Sequence, residues 1–381
     1  MSSIALVSSF ATECGIATYT SDLGAALLAR GHTVEVFAMH LDARAAYRRD
    51  TRVFYTRCWQ REQSFDDDAE PIANFEHLSE RLGSRFDVVH IQHEYGLYLN
   101  IAGFSAWLAG LRNCGVVVTC HTVPVPGTEQ AASLEWMMAV LNRCGCHTIA
   151  HQDGGVRALR AYGVKHAHCI PHGTPMGLEP TERAEARRRL GLPATGIVAA
   201  TLGFWTPGKR NNDTIRATVR LLRAKALPEG FTLVIAGQPM GKEAVDDIQQ
   251  WCDKMEQAGL SDSIQIRPGF VDDGRLADYY GAADFVIANS GPTMYSTSGR
   301  GHLAMAYGAA VLAADVPLLQ EFHGCGLTFG GHAGLEAGIA RLAEDAELRE
   351  QLRQRARDYA ELTSWQRVAA EHEAVYTEAM A

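Results

Sequence analysis

Three histidines in this 381-residue sequence stand at equivalent places, each just after a short run of small or β-branched apolar residues. They are His93 in Gln92-His93-Glu94-Tyr95-Gly96, His121 in Cys120-His121-Thr122-Val123, and His172 in Pro171-His172-Gly173. One such histidine reads as a packed or capped residue, whereas three at matching positions suggest a polar cleft beyond the carboxyl ends of parallel strands. Metal ligation is the rival chemistry, but the three lie on different loops without a short ligand spacing. Cys144-Gly145-Cys146-His147, with His151 close behind, has a C-x-C spacing that is not a usual zinc pattern and reads as structural.

Three other segments are suited to anions. Residues 8–19 read SSFATECGIATY, and Gly15 falls where a helix begins, so backbone N–H groups and the helix dipole are available to a negative charge. A glycine there is also an ordinary turn residue. Residues 201–213 read TLGFWTPGKRNND, with Lys209 and Arg210 just before an expected helix from Asn211. Cations oppose the dipole at a helix start, and that cost favours an anionic partner such as a departing diphosphate over incidental charge. Residues 289–302, NSGPTMYSTSGRGH, gather Ser298, Gly299 and Arg300 at a helix start, which offers hydroxyl, backbone and guanidinium donors to phosphate oxygens. Capping alone explains Ser298 but not three glycines with an arginine.

The elements that must position these residues follow from apolar runs alternating with stretches of helical period, which predict parallel strands joined by crossover helices. Strands are expected at residues 4–9, 33–37, 87–92, 116–120, 148–151 and 168–171, and again at 197–203, 232–237, 264–267, 285–288, 310–314 and 327–330. Their two-sided apolar character places them in sheets covered on both faces. Between the two series, residues 173–196 carry three prolines around a charged helical stretch, 182–190, and read as an exposed connection between domains. Helices are expected over 335–343 and 346–362, with Ser364 capping a last helix.

Composition narrows the classes. At about 150 residues per domain the length suggests two domains. The 47% hydrophobic and 21% charged content is that of a globular protein. The net charge of −9 offers no broad surface for nucleic acid or an anionic membrane, while a local cation cluster still suits a small anion. Nine widely spaced cysteines read as reduced thiols, no apolar run reaches transmembrane length, and the start MSSIALVSSF lacks a basic leader, so a cytoplasmic protein without a transmembrane segment is expected.

With these loops in place the sequence resembles glycosyltransferase family 4, whose retaining, nucleotide-sugar-dependent members have two Rossmann-like domains in the GT-B arrangement. The likeness runs through CGIATYTSDLGAALLARGHTVEVF, FDVVHIQHEYGLY, VVVTCHTV, IPHG, GFWTPGK, LVIAG, GFVDDGRLADYYGAADFVIANS and LAMAYGAAVLAAD, and ends in SW before a helix with VAAEHEAVY. It implies an N-terminal domain over 1–178 on the acceptor side, a donor domain over 190–363, a helix 364–381 returning to the first, and sheets facing an interdomain cleft. The sequence departs from the family where an arginine commonly follows the glycine of the first donor-domain strand: Phe204 follows Gly203, with Lys209 kept. Two glutamates eight residues apart are replaced by Tyr295 and Leu303, as in a branch whose segment reads small-Ser-Gly, here Thr297-Ser298-Gly299.

The resemblance implies transfer of a hexosyl group from a nucleoside diphosphate sugar to an acceptor hydroxyl with retention, with no metal or other cofactor. Phe270 and Val271 would lie at the base, Gly15, Lys209, Arg210, Ser298, Gly299 and Arg300 at the phosphates, and His121 at the sugar. Glu94 would act as proton acceptor, with His93, Tyr95 and His172 on the acceptor side. Arg300 would replace the missing arginine. Acceptor choice would rest on residues 41–70 and 124–135. Two alternatives share this architecture: a non-catalytic nucleotide-sugar binder, kept open by the missing glutamates, and a sugar-nucleotide epimerase, which the SW ending and the CHTV segment disfavour.

Overall fold

The computed structural model describes residues 1–12, 14–39, 53–59, 78–79, 82–98, 101–291 and 293–381. Most of the 41–70 segment expected to govern acceptor choice therefore lies outside the described residues. The chain divides into two compact units, Met1–Gly173 with Met294–Gly299 and Thr363–Ala381, and Thr174–Thr293 with Arg300–Leu362. Among the described residues no helix is long and apolar enough to cross a membrane.

The first unit is built on a parallel sheet of β1 (Ser3–Ser8), β2 (Thr33–Met39), β3 (Phe54–Trp59), β4 (Val88–His93), β5 (Gly115–Cys120), β6 (His147–Ala150) and β7 (Ala167–Cys169), in the order β3-β2-β1-β4-β5-β6-β7. Its helices are α1 (Gly15–Ala29), α2 (Ile101–Gly110), α3 (Glu129–Ala132), α4 (Glu135–Cys144) and α5 (Asp153–Ala161). The period of two along β1 serves both faces. Ala5 and Val7 pack with Phe104 and Trp107, while Ile4 and Leu6 pack with Leu23, Val368 and Tyr376. Strand β3 is absent from the sequence reading because it is an edge strand: FYTRCW has no apolar run, and Phe54 is 69% exposed.

The second unit repeats the plan. Strands β8 (Val198–Leu202), β9 (Thr232–Gly237), β10 (Ile264–Pro268), β11 (Phe285–Ala288), β12 (Val311–Ala314) and β13 (Leu327–Phe329) form a parallel sheet in the order β10-β9-β8-β11-β12-β13. Helices α6 (Arg183–Leu190), α7 (Asn211–Arg223), α8 (Lys242–Gln257), α9 (Asp273–Ala282), α10 (Gly299–Ala306), α11 (Gly331–Glu344), α12 (Ala346–Leu362) and α13 (Trp365–Met380) follow in chain order. The last of these belongs to the first unit.

Two local expectations change. The segment read as an exposed connection buries Ala186, Arg187 and Leu190 of α6. Arg187 is hidden because Asp284 meets its Nη2 at 2.9 Å and the carbonyls of Ala194 and Gly196 accept from its Nη1, partners that a charged sequence run does not reveal. Ser364 does occupy the N-cap of α13, but its side chain makes no cap bond. That start is fixed instead by packing. A Cβ on Gly173 would fall inside the Trp365 indole, so the glycine of the IPHG turn and the tryptophan of the SW ending require one another.

Candidate active site

In each sheet the strand order reverses once, between β1 and β4 and between β8 and β11, and ligands of open parallel sheets bind beyond the carboxyl ends at such points. The residues singled out by sequence cluster around these two places.

In the first unit, β1 leads through Ala11, at φ 50°, to the N-terminus of α1, where Gly15 is exposed and has nothing within 4 Å of a Cβ position. No acidic residue lies in the first turn of α1, and Cys14 at the N-cap makes no side-chain cap bond. The approach to the backbone is therefore open to an anion. After β4, the Glu94 carboxylate accepts from Thr122 Oγ1 at 2.6 Å and from the Tyr95 amide at 3.0 Å. Burial raises its pKa above the ordinary carboxylate value, against both hydrogen bonds. His93 has no exposed surface and sits among Tyr95, Tyr98, Phe104 and Trp136. Neither ring nitrogen has a partner among the described residues, and burial lowers its pKa to about 3, so the ring is neutral.

His121 is the hub of a polar network. Its Nε2 lies 3.0 Å from the Gln92 side-chain amide and its Nδ1 3.3 Å from His151 Nε2. His151 Nδ1 donates to the Ile170 carbonyl at 3.0 Å and His121 Nε2 donates to Gln92 Oε1, so in the neutral rings His121 Nδ1 and His151 Nε2 face one another as lone pairs, in close contact rather than in a hydrogen bond. The Tyr19 ring packs against His121, His151, His172 and Trp365 with centroids 4.8–5.2 Å away. Its hydroxyl is 3.3 Å from His372 Nε2, and His90 is held between Tyr376 and Thr119 at 2.8 Å each. Desolvation, then the neighbouring imidazoles, push His121 well below its ordinary value. Residues 294–299 join this unit as well: Tyr295 pairs with Val123 in an isolated antiparallel bridge, Ser296 Oγ donates to the His121 carbonyl at 2.6 Å, and a Cβ on Gly299 would lie 3.7 Å from His172 Nε2.

In the second unit, the loop after β8 passes through Gly203 to a 3-10 turn, Pro207–Lys209, and into α7. It is tied to the segment after β11 by Ser290 Oγ and the Gly291 amide, which both donate to the Gly208 carbonyl. Lys209 is half-buried and makes no ion pair among the described residues, and burial pushes its ammonium below the ordinary value. Arg210, by contrast, pairs with Asp213 at 2.6 Å, a carboxylate that Arg216 also meets at 3.3 Å. Arg300 lies against Gly203, its Cγ 3.6 Å from a Cβ position there, and its Nη1 is buried without a partner among the described residues. Val271 is buried and Phe270 is 44% exposed beyond the end of β10.

The structure thus gathers His121, Glu94, Tyr95, His172, Ser298 and Gly299 in the first unit, and Lys209, Arg210, Arg300, Phe270 and Val271 in the second. Sequence reading missed Tyr19, Gln92, His90, His372 and Tyr376. The one available signal was His372 and Tyr376 at i and i+4, which places two polar rings on one face of the last helix.

A profile of Glycosyltransferase Family 4 matches residues 14–176. A D-inositol 3-phosphate glycosyltransferase of Saccharomonospora viridis is 32% identical over 319 residues, covering 78% of this chain and 71% of its own. One from Salinispora arenicola is 35% identical over 206 residues, 52% of this chain but 45% of that protein, so the match spans under half of that relative. Sucrose-phosphate synthase from Thermosynechococcus elongatus superimposes over 99% of both chains with a TM-score of 0.77 at 21% identity. Anabaena HepE in complex with UDP and glucose does so over 99% of this chain and 100% of that one, at 0.75 and 16% identity. These likenesses show the GT-B fold.

Proposed function

The chain belongs to glycosyltransferase family 4, and from that premise we propose that it transfers a hexosyl group from a nucleoside diphosphate sugar to an acceptor hydroxyl with retention of configuration. The observation that carries this reading is the pair of cations without carboxylate partners among the described residues, Lys209 and Arg300, at the reversal point of the second sheet. An anion there would satisfy both, and a diphosphate gains negative charge as the glycosidic bond breaks, so the attraction grows toward the transition state. Arg300 then does the work of the arginine absent after Gly203. The two side-chain cations meet the charge without a metal. Arg210, held by Asp213, supports the loop rather than the phosphates. Phe270 offers a face to the base.

In the first unit, Glu94 takes the acceptor proton. Its raised pKa makes it a better base than an ordinary carboxylate. The neutral His121 contacts the sugar and, lacking charge, does not repel the cation that develops there. Tyr95 and His172 line the acceptor side, and His93 braces Tyr95 from within the core. HepE was crystallised with UDP and glucose, and the curated relatives are named for inositol phosphate, so UDP-glucose and an inositol phosphate are the first donor and acceptor to try.

The test is release of nucleoside diphosphate over a panel of donors and acceptors, with the product anomer read by NMR. Lys209→Ala should lower turnover by about 10²–10³, or ~3 kcal/mol, with the fold intact. Arg300→Ala should weaken donor use, and unchanged turnover in either variant defeats the phosphate assignment. The absence of carboxylates at Tyr295 and Leu303 favours one second reading, a nucleotide-sugar binder without transfer. Donor binding with no diphosphate release would establish it.

A further inference from the structure

Away from these loops, three histidines and a glutamate meet at the far edge of the first sheet. His147 opens β6 and His168 lies in β7, where it pairs in register with Ile149. The period of two then places His147, Ile149, His168 and His166 on one face. Ile149 packs with Val368 and Val375 of α13, so this is the face that the last helix covers, and Glu378 comes down from its final turn. His147 Nδ1 and His168 Nε2 are 3.2 Å apart, and Glu378 Oε2 is 3.9 Å from the same His168 nitrogen. His166 stacks on His147 with centroids 4.6 Å apart and an interplanar angle of 13°. One ligand atom from each of His147, His168 and Glu378 falls within 4.8 Å of the others.

We propose that His147, His168 and Glu378 bind one divalent transition-metal ion of the zinc class, clamping the end of α13 to the β6–β7 edge. A zinc ion ~2.05 Å from two imidazole nitrogens at the tetrahedral angle holds them ~3.3 Å apart, and the observed separation matches it. The carboxylate needs only a small rotation, because Glu378 is exposed. A set of two nitrogens and one oxygen suits zinc, with water in the fourth position. Burial first, and His166 beside them, hold both imidazoles below their ordinary values, while Glu378 acts the other way. Arg160, which donates to the Ala167 carbonyl at 3.2 Å, is a nearby charge opposing a cation, and Glu378 offsets it. The sequence sets His147 beside two cysteines, yet the fold turns it toward His168 and Glu378.

The test is titration of the chelator-treated full chain with Zn²⁺ by calorimetry, alongside Co²⁺ absorption and hydrogen exchange of α13. The expected result is one equivalent bound, cobalt d–d bands without a thiolate charge-transfer band, and slower exchange over residues 365–380. The His147→Ala/His168→Ala double variant should lose that equivalent while keeping its metal-free melting temperature. Glu378→Gln, a change at an exposed position that leaves the fold untouched, should weaken binding about tenfold or more. No zinc binding to the wild type, binding undiminished in the double variant or in Glu378→Gln, or a thiolate band would overturn the proposal. The site would then be a neutral His147–His168 hydrogen bond, or the ion would sit on cysteines.

Discussion

In the first unit a network of neutral buried groups lies on the sheet, His90 with Tyr376 and Thr119 and Tyr19 with His372, beside one ion pair between buried Glu35 and exposed Arg85 at the β2 edge. The second unit holds a buried ion pair, Arg187 with Asp284 at 2.9 Å, which the exposed Arg183 joins at 2.8 Å. A neutral network can hold a ring at a site of developing positive charge without repelling it, but it resists protonation. An ion pair anchors a segment well and fails badly when one partner is lost. Against that background Lys209 and Arg300 stand out as half-buried cations that make no ion pair among the described residues.

The sharpest way to break the contrast is Asp284→Ala, which leaves Arg187 buried and uncompensated. A loss of about 3–5 kcal/mol is expected, read by urea unfolding, with hydrogen exchange faster in α6 and β11 than in the first unit. A loss confined to the first unit would end the distinction. Gly173→Ala acts on the other side, forcing a methyl into the Trp365 ring, and should cost about 3 kcal/mol. Combining it with Trp365→Ala should cost less than the sum of the two single changes.

The smallest effect is with pH. His93 and His372, with pKa values lowered to about 3 and about 4, are neutral when folded and charge near 6.5 when unfolded. Between those values the unfolded chain binds more protons, so stability rises with pH, is complete above 6.5 and drains away as pH falls toward 3. Each such ring should cost about 2 kcal/mol by pH 5. Exchange measured at pH 7.5 and 5 should show the loss in the first unit; equal loss in both would refute the comparison.

The fold was legible because flat apolar runs such as IALV and TLVIAG can only be strands covered on both faces. Strand β3 was not, since an edge strand needs no such run. His121 announced itself by standing after a strand, but its partners did not, because Gln92, His151 and the Tyr19 ring meet it only once three strands are side by side. Arg187 shows the converse: a helix reading RAEARRRL gives no hint that one arginine is buried, because its acceptors lie just before β11 and on the turn after the helix. The pairing of Arg210 with Asp213 is a local i, i+3 relation, open to reading from sequence but hidden while both cations were assigned to one anion.

The packing of Trp365 over Gly173 also fixes an order of events during synthesis. The ribosome makes the seven strands of the first sheet early, yet the residues that cover Ile4, Leu6 and Val117 on one face, from Trp365 to Tyr376, emerge only after the whole second unit has been translated. Until then the nascent first unit presents an open apolar face with His90 and Tyr19 unmet from that side. It is in that interval that the chain is most exposed to aggregation and most dependent on chaperones.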